Sequence, residues 1–194
     1  MRFEKGHKEE TRQRIVEVAA GRFRREGIAA VGIAGIMADA GLTHGGFYAH
    51  FESKEDLVRA AIDTALAGTK ARLDRAAARA PSGLESYVRN YLRPSHRDHP
   101  EQGCTYAALL PELARHGDET RGDITSQLED SLARIADLLP DGTPPDARQS
   151  IAVSILGLLV GTLQMSRAVT DPALSASILD SGIAAALRLA GQPC

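Results

Sequence analysis

The chain has 194 residues, 43% hydrophobic but only 4% aromatic and without tryptophan, so a sizeable core must be built from Leu, Ile, Val and Ala. Two cysteines, Cys104 and Cys194, stand far apart in sequence, which argues against a disulfide scaffold and fits a reducing compartment. The net charge is −2, the start MRFEKGHKEE lacks an apolar segment of the secretory kind, and the longest apolar run, Ile151 to Met165, is shorter than the ~20 residues of a membrane span. A soluble, cytoplasmic protein is expected, with no membrane partner.

In chain order, Thr11 to Glu26 predicts an amphipathic helix, with Ile15, Ala19 and Phe23 on one stripe broadened by Val16 and Ala20, ended by Gly27. Residues 1–25 carry Arg2, Lys5, Lys8, Arg12, Arg14, Arg22, Arg24 and Arg25 against Glu4, Glu9, Glu10 and Glu17. That is a surplus of four positive charges, which leaves residues 26–194 at −6. A basic leading edge on an acidic body is a modest electrostatic footprint for nucleic acid.

Ile33, Ile36, Met37 and Ala40 then repeat at helical spacing, and Gly41 follows where a chain leaving a helix favours a left-handed residue. Leu42 supplies an apolar plug and Thr43 an N-cap for a short helix to Phe51. Phe47 and Phe51, four apart, should pack inward, leaving His44, Gly45, Tyr48 and His50 on other faces. Gly45 and Gly46 are poor helix formers, reasonable where a helix start must approach another surface such as a phosphate backbone. Ser53, with Asp56 three residues on, is close to a capping box, and Lys54 at the first helical position can reach a phosphate. Two short helices across a tight turn can offer the second to a major groove.

These motifs, TR-x-x-I-x-x-x-A, F-x-x-x-G and AGLTHGGFYAHFESKEDL, resemble the N-terminal domain of TetR-family transcriptional regulators over about 50 residues, Thr11 to roughly Ala60. The resemblance implies an all-α protein: residues 1–53 as a three-helix, helix-turn-helix DNA-binding domain and residues 54–194 as a helical ligand-binding and dimerisation domain. It places Thr43, Tyr48, His50 and Lys54 at positions that touch the DNA backbone, and His44, Gly45 and Gly46 nearest base edges. Where the family often has Thr-Ser before its second helix, this chain has Val31-Gly32, which removes a side-chain cap and with it one phosphate contact.

Beyond Lys54 a long helix is expected to about Ala80, broken by Pro81-Ser82-Gly83, then a helix from Leu84 to Leu92 ended near Pro94. Ser95–Gly103 reads as polar and irregular, and Ala107–Arg115 as a short helix interrupted by Pro111. Asp118–Leu139, Asp146–Val169 and a final helix capped by Asp171 with Pro172 at its first position complete the chain, ending near Gly191. The last two helices are apolar over most of their surface, with Gly157 and Gly161 spaced for close backbone approach. Ile155, Gly157, Leu158, Gly161, Leu179, Ile183 and Leu187 fit either an intramolecular core or, as the resemblance implies, the seam of a homodimer.

His96-Arg97-Asp98-His99 has neither the partners of a kinase loop nor a metal-ligand spacing, even with His116 added, and reads as a solvated loop. No metal or cofactor is expected. Cys104 is either a packed residue or a thiol activated by Arg97, Arg115 or a histidine. With it, Tyr87, Tyr91, Tyr106, Leu110, Leu113, Ile155 and Gln164 are candidate walls of an effector pocket, each equally explicable as packing. No nucleophile–base pair or phosphate loop supports catalysis. The expected function is therefore a ligand-responsive regulator, a repressor by family analogy, that binds a pseudo-palindromic double-stranded operator as a homodimer and answers to a small-molecule effector. A ligand-binding or enzymatic bundle and a structural adaptor are the competing readings.

Overall fold

The computed structural model describes residues 2–77 and 83–191, and every regular element among them is helical. Cys194, Pro81, Ser82 and the expected last turn of the long helix at 78–80 lie outside the described residues. The helices are α1 (Arg2–Glu26), α2 (Ile33–Asp39), α3 (Lys54–Ala77), α4 (Gly83–Tyr91), α5 (Pro94–Asp98), α6 (Thr105–Leu113), α7 (Asp118–Asp137), α8 (Pro145–Ala168) and α9 (Pro172–Leu189), with 3₁₀ segments at His44–Ala49 and Pro100–Gln102. The chain divides into two compact units, residues 1–68 with 100–120, and residues 69–99 with 121–194. That division differs from the cut at residue 53 expected from the sequence, because Pro100–Thr120 folds with the N-terminal helices.

In the first unit, α1 buries Ile15, Val16, Ala19, Ala20 and Phe23. It ends at Gly27, whose φ of 87° is the left-handed conformation that glycine adopts without steric cost. α2 ends in a Schellman motif: Leu42 N–H donates to Met37 O at 2.8 Å and Gly41 N–H to Ala38 O at 2.9 Å, with Gly41 at φ 71°. Arg22 stitches α1 to α2, lying 2.8 Å from Glu26 and 3.3 Å from Asp39. Its hydrogen bond, then that of Arg25, holds the Glu26 carboxyl at about 2.

In the second unit, α8 and α9 cross where Gly182 meets Thr162, so closely that a Cβ on Gly182 would overlap the Thr162 side chain. The expected close-approach pair, Gly157 and Gly161, plays no part in that crossing, since a Cβ added at either would meet no atom within 4 Å. Arg148 donates to Ala136 O at 2.6 Å and Pro140 O at 2.9 Å, tying the first turn of α8 to the end of α7 and the loop after it. Asp171 caps α9 by accepting from Ala173 N–H at 2.9 Å, with Pro172 in the first turn. The segment expected to be irregular, Ser95–Gly103, instead contains α5 and a 3₁₀ turn: Pro94 opens α5, and Arg167 closes it by donating to His96 O at 2.6 Å and Arg97 O at 3.1 Å. His96 is buried, its Nδ1 2.5 Å from Tyr91 O, so it is a packed residue rather than part of a solvated loop.

α8, at 24 residues, is long and apolar enough to cross a membrane by length and composition alone. The shorter run considered from the sequence, Ile151–Met165, underestimates it because the helix extends past both ends. Ala152, Ile155, Leu156, Leu159 and Leu163 are buried within the unit, the pattern of a core helix.

Candidate nucleic-acid interface

The segment after the α2 turn forms a 3₁₀ helix, His44–Ala49, instead of the expected helix from Thr43 to Phe51. Two adjacent glycines weaken α-helical propensity, and short 3₁₀ turns close with bonds three residues apart, here Gly46 N–H to Thr43 O at 3.0 Å and His50 N–H to Phe47 O at 2.9 Å. Thr43 holds extended backbone at the N-cap but makes no side-chain cap bond, so its hydroxyl is not spent on the helix.

Phe47 and Phe51 are fully buried and stacked, centroids 5.5 Å apart, and Arg12 lies 4.8 Å over the Phe51 ring. This anchor turns the remaining residues outward. Tyr48 is 65% exposed, its ring edge-on to Phe47 at 5.3 Å, and Thr43, His44 and Gly45 line the same segment, His44 and Gly45 exposed. A Cβ on Gly45 would face open space, whereas one on Gly46 would lie 3.7 Å from Met37 Cε. His50 is half-buried, and its Nδ1 is buried without a hydrogen-bond partner. Burial, and then the charges of Lys8 and Arg12, lower its pKa and favour the neutral ring.

Ser53 caps α3 by accepting from Asp56 N–H at 3.1 Å, and Asp56 accepts in return from Glu52 N–H at 3.2 Å, one residue earlier than in the usual box. Lys54 is not a free cation in this state: its ammonium donates to Ile28 O at 2.7 Å, tying the start of α3 to the α1–α2 turn. At the start of α2, Gly32 has cap geometry without a side-chain bond, while Val31 is buried. The substitution at this position thus leaves the fold intact.

The residues expected to line an effector pocket fall into both units. Cys104, Tyr106 and Leu113 are buried in the first, and Tyr87, Tyr91 and Ile155 in the second. Leu110 and Gln164 are exposed. α6 buries 105, 106, 109 and 113, which leaves Leu110 on the outer face, and α8 buries 155, 159, 162, 163 and 166, which leaves Gln164 outside. Of the residues expected at a seam, Ile155, Leu179 and Leu187 are buried inside the second unit. Leu158 and Ile183 are half-buried, Gly157 is exposed and Gly161 half-buried. Periodicity missed the apolar residues that do face outward, Val153 (50% exposed), Met165 (55%), Leu174 (49%) and Leu189 (45%). Among the described residues, no group of three or more His, Cys, Asp or Glu side chains is placed to hold a metal.

Residues 15–61 match the family model for bacterial regulatory proteins of the tetR family. The HTH-type transcriptional regulator TtgR of Pseudomonas putida is 39% identical over 64 residues, 33% of this chain and 30% of that protein; the probable HTH-type transcriptional regulator ArpR of Pseudomonas putida matches to the same extent. The match thus spans under a third of the length of these curated relatives. In fold, the chain is similar to a TetR-family transcriptional regulator from Cytophaga hutchinsonii, with a TM-score of 0.78 at 21% identity and 95% of both chains covered. It is also similar to a TetR transcriptional regulator from Chloroflexus aurantiacus J-10-FL, with a TM-score of 0.74 at 24% identity, covering 98% of this chain and 96% of that one. Residues 15–61 thus match the DNA-binding segment of tetR-family bacterial regulatory proteins, carried on an all-α fold similar to that of solved TetR-family regulators.

Proposed function

We propose that the chain is a cytoplasmic, DNA-binding transcriptional regulator, a repressor that binds a pseudo-palindromic operator as a homodimer and lets go when a small molecule enters its helical body. Residues 1–53 carry DNA contact, and residues 54–194 carry effector binding and dimerisation. Thr43, Tyr48, His50 and Lys54 grip the backbone, while His44, Gly45 and Gly46 approach base edges. The observation that carries this reading is a 65%-exposed Tyr48 on a turn whose neighbours Phe47 and Phe51 are fully buried. A large ring held in water by a rigid anchor is a surface built for contact.

The homodimer is supported by α8 and α9. Val153, Gly157, Gly161 and Met165 recur every four residues along α8, a stripe of two exposed apolar side chains with two glycines between them, and Leu174 and Leu189 are exposed on α9. Paired with a copy, such a stripe lets backbones approach closely, and two recognition segments spaced ~34–36 Å apart read two half-sites. Effector binding is assigned to the second unit, to the buried residues with polar tips Tyr87 and Tyr91, with Ile155 as an apolar wall. An effector that changes the half-site spacing with a coupling of ~1–3 kcal/mol weakens operator binding some 5–150-fold.

Tyr48→Ala tests the site. The variant loses the edge contact with Phe47, so the melting temperature is expected to fall by only a few degrees while operator affinity falls at least about tenfold. Normal operator binding by this variant would remove the 44–50 segment from the interface.

A further inference from the structure

A second place in the first unit has the attributes of a binding site. The α1–α2 turn, the first turns of α3 and the end of α6 with the turn after it enclose an open cleft of about 510 Å³. Its volume lies within the usual range of small-molecule sites. Ile28 and Val58, both buried, provide an apolar floor, with Ala29 beside them.

The polar lining is one-sided in what it has left to offer. Glu55 is engaged: both its oxygens lie 2.9 Å from His116 Nδ1, and Oε1 accepts from the Thr120 hydroxyl at 2.5 Å. Burial pushes the Glu55 carboxyl up, but those two hydrogen bonds, with the charges of His116 and Arg59, outweigh it and hold it low. Glu112 is occupied as well, accepting from Ala29 N–H at 3.0 Å through one oxygen while the other covers Gly27, 2.8 Å from where a Cβ would be. The donors are not used up. Lys54 spends one of its three N–H groups on Ile28 O, and the exposed Arg115 guanidinium makes no hydrogen bond or ion pair among the described residues. A ligand that brings acceptors meets the unspent donors of Lys54 and Arg115, and a planar carboxylate matches the guanidinium fork.

We infer that this cleft is a binding site for a small organic carboxylate with a compact apolar body, its charged end on Arg115 and Lys54 and its body on Ile28 and Val58. The lining joins the end of α6 to the start of α3 and to the turn before α2, so an occupant tightens or loosens the elements that hold the 3₁₀ segment. That consequence rests on the regulator reading; the binding itself does not.

Calorimetric titration of the full chain with benzoate, benzamide and inorganic phosphate at constant ionic strength tests the site. Benzoate binds once per chain, benzamide and phosphate at least about tenfold more weakly, and Arg115→Ala weakens benzoate by a similar factor while a change at the exposed Lys70, Lys70→Ala, leaves it unchanged. Saturation by benzoate then shifts operator affinity in the parent chain and not in Arg115→Ala. No saturable benzoate binding, equal binding of benzamide or phosphate, or an Arg115→Ala variant that binds as the parent does overturns the assignment. Benzoate binding with no effect on any duplex leaves the site standing and counts against the regulator reading alone.

Discussion

Gly45 separates folding from function at one residue. Its φ is not left-handed and a Cβ there meets open space, so the folded chain does not require glycine. Gly45→Ala is therefore expected to leave the melting temperature unchanged or slightly raised, because alanine restricts the unfolded chain. If the position lies against DNA, the added methyl weakens operator binding about tenfold. Filter binding beside a thermal melt checks both, and equal affinity with equal stability would show that Gly45 approaches nothing. The outward placement of Tyr48 is legible from sequence because Phe47 and Phe51 lie four apart and name the inward face themselves. The bond from Lys54 to Ile28 O is not, since it joins residues 26 positions apart through a turn whose path no local pattern encodes.

Helix ends are the most readable elements. Gly27, Gly41, Pro145 and Asp171-Pro172 mark boundaries by their own backbone chemistry, and the helices begin or stop beside each of them. What is not readable is which side of an apolar helix faces in. α8 is apolar nearly all round, so spacing alone admits Ile155 to a seam as readily as Val153; only packing against α9 distinguishes them. The short α5 escapes for the opposite reason, as five residues of PSHRD carry no apolar period and owe their closure to Arg167, 70 residues away. The α8–α9 contact supplies its own test. Gly182→Ala drives a methyl into Thr162 and is expected to destabilise the chain by ~1–3 kcal/mol, measured by urea unfolding. An unchanged midpoint would mean that the two helices separate at little cost.

At the scale of the whole molecule, a 3₁₀ segment with two glycines offers few side-chain donors to base edges. On the proposed reading, His44 carries direct readout, and shape and backbone contacts carry the remainder. One such segment discriminates poorly, so the regulator reading needs two. Replacing Gly157 and Gly161 together by Leu places bulk on an open face of α8 without disturbing the second unit, and is expected to convert a dimer to folded monomers in sedimentation while weakening operator binding in parallel. A parent chain that sediments as a monomer at micromolar concentration would remove the seam.

Whether this surface grips phosphates is read most directly from salt dependence. Operator affinity is expected to fall linearly on a log–log plot against salt; even one neutralised phosphate per protomer gives a slope of about −1.8 and a loss of about tenfold between roughly 50 and 200 mM. An affinity that ignores salt, or no retention of any duplex at low ionic strength by the folded chain, would contradict a DNA-gripping role for the 44–50 segment.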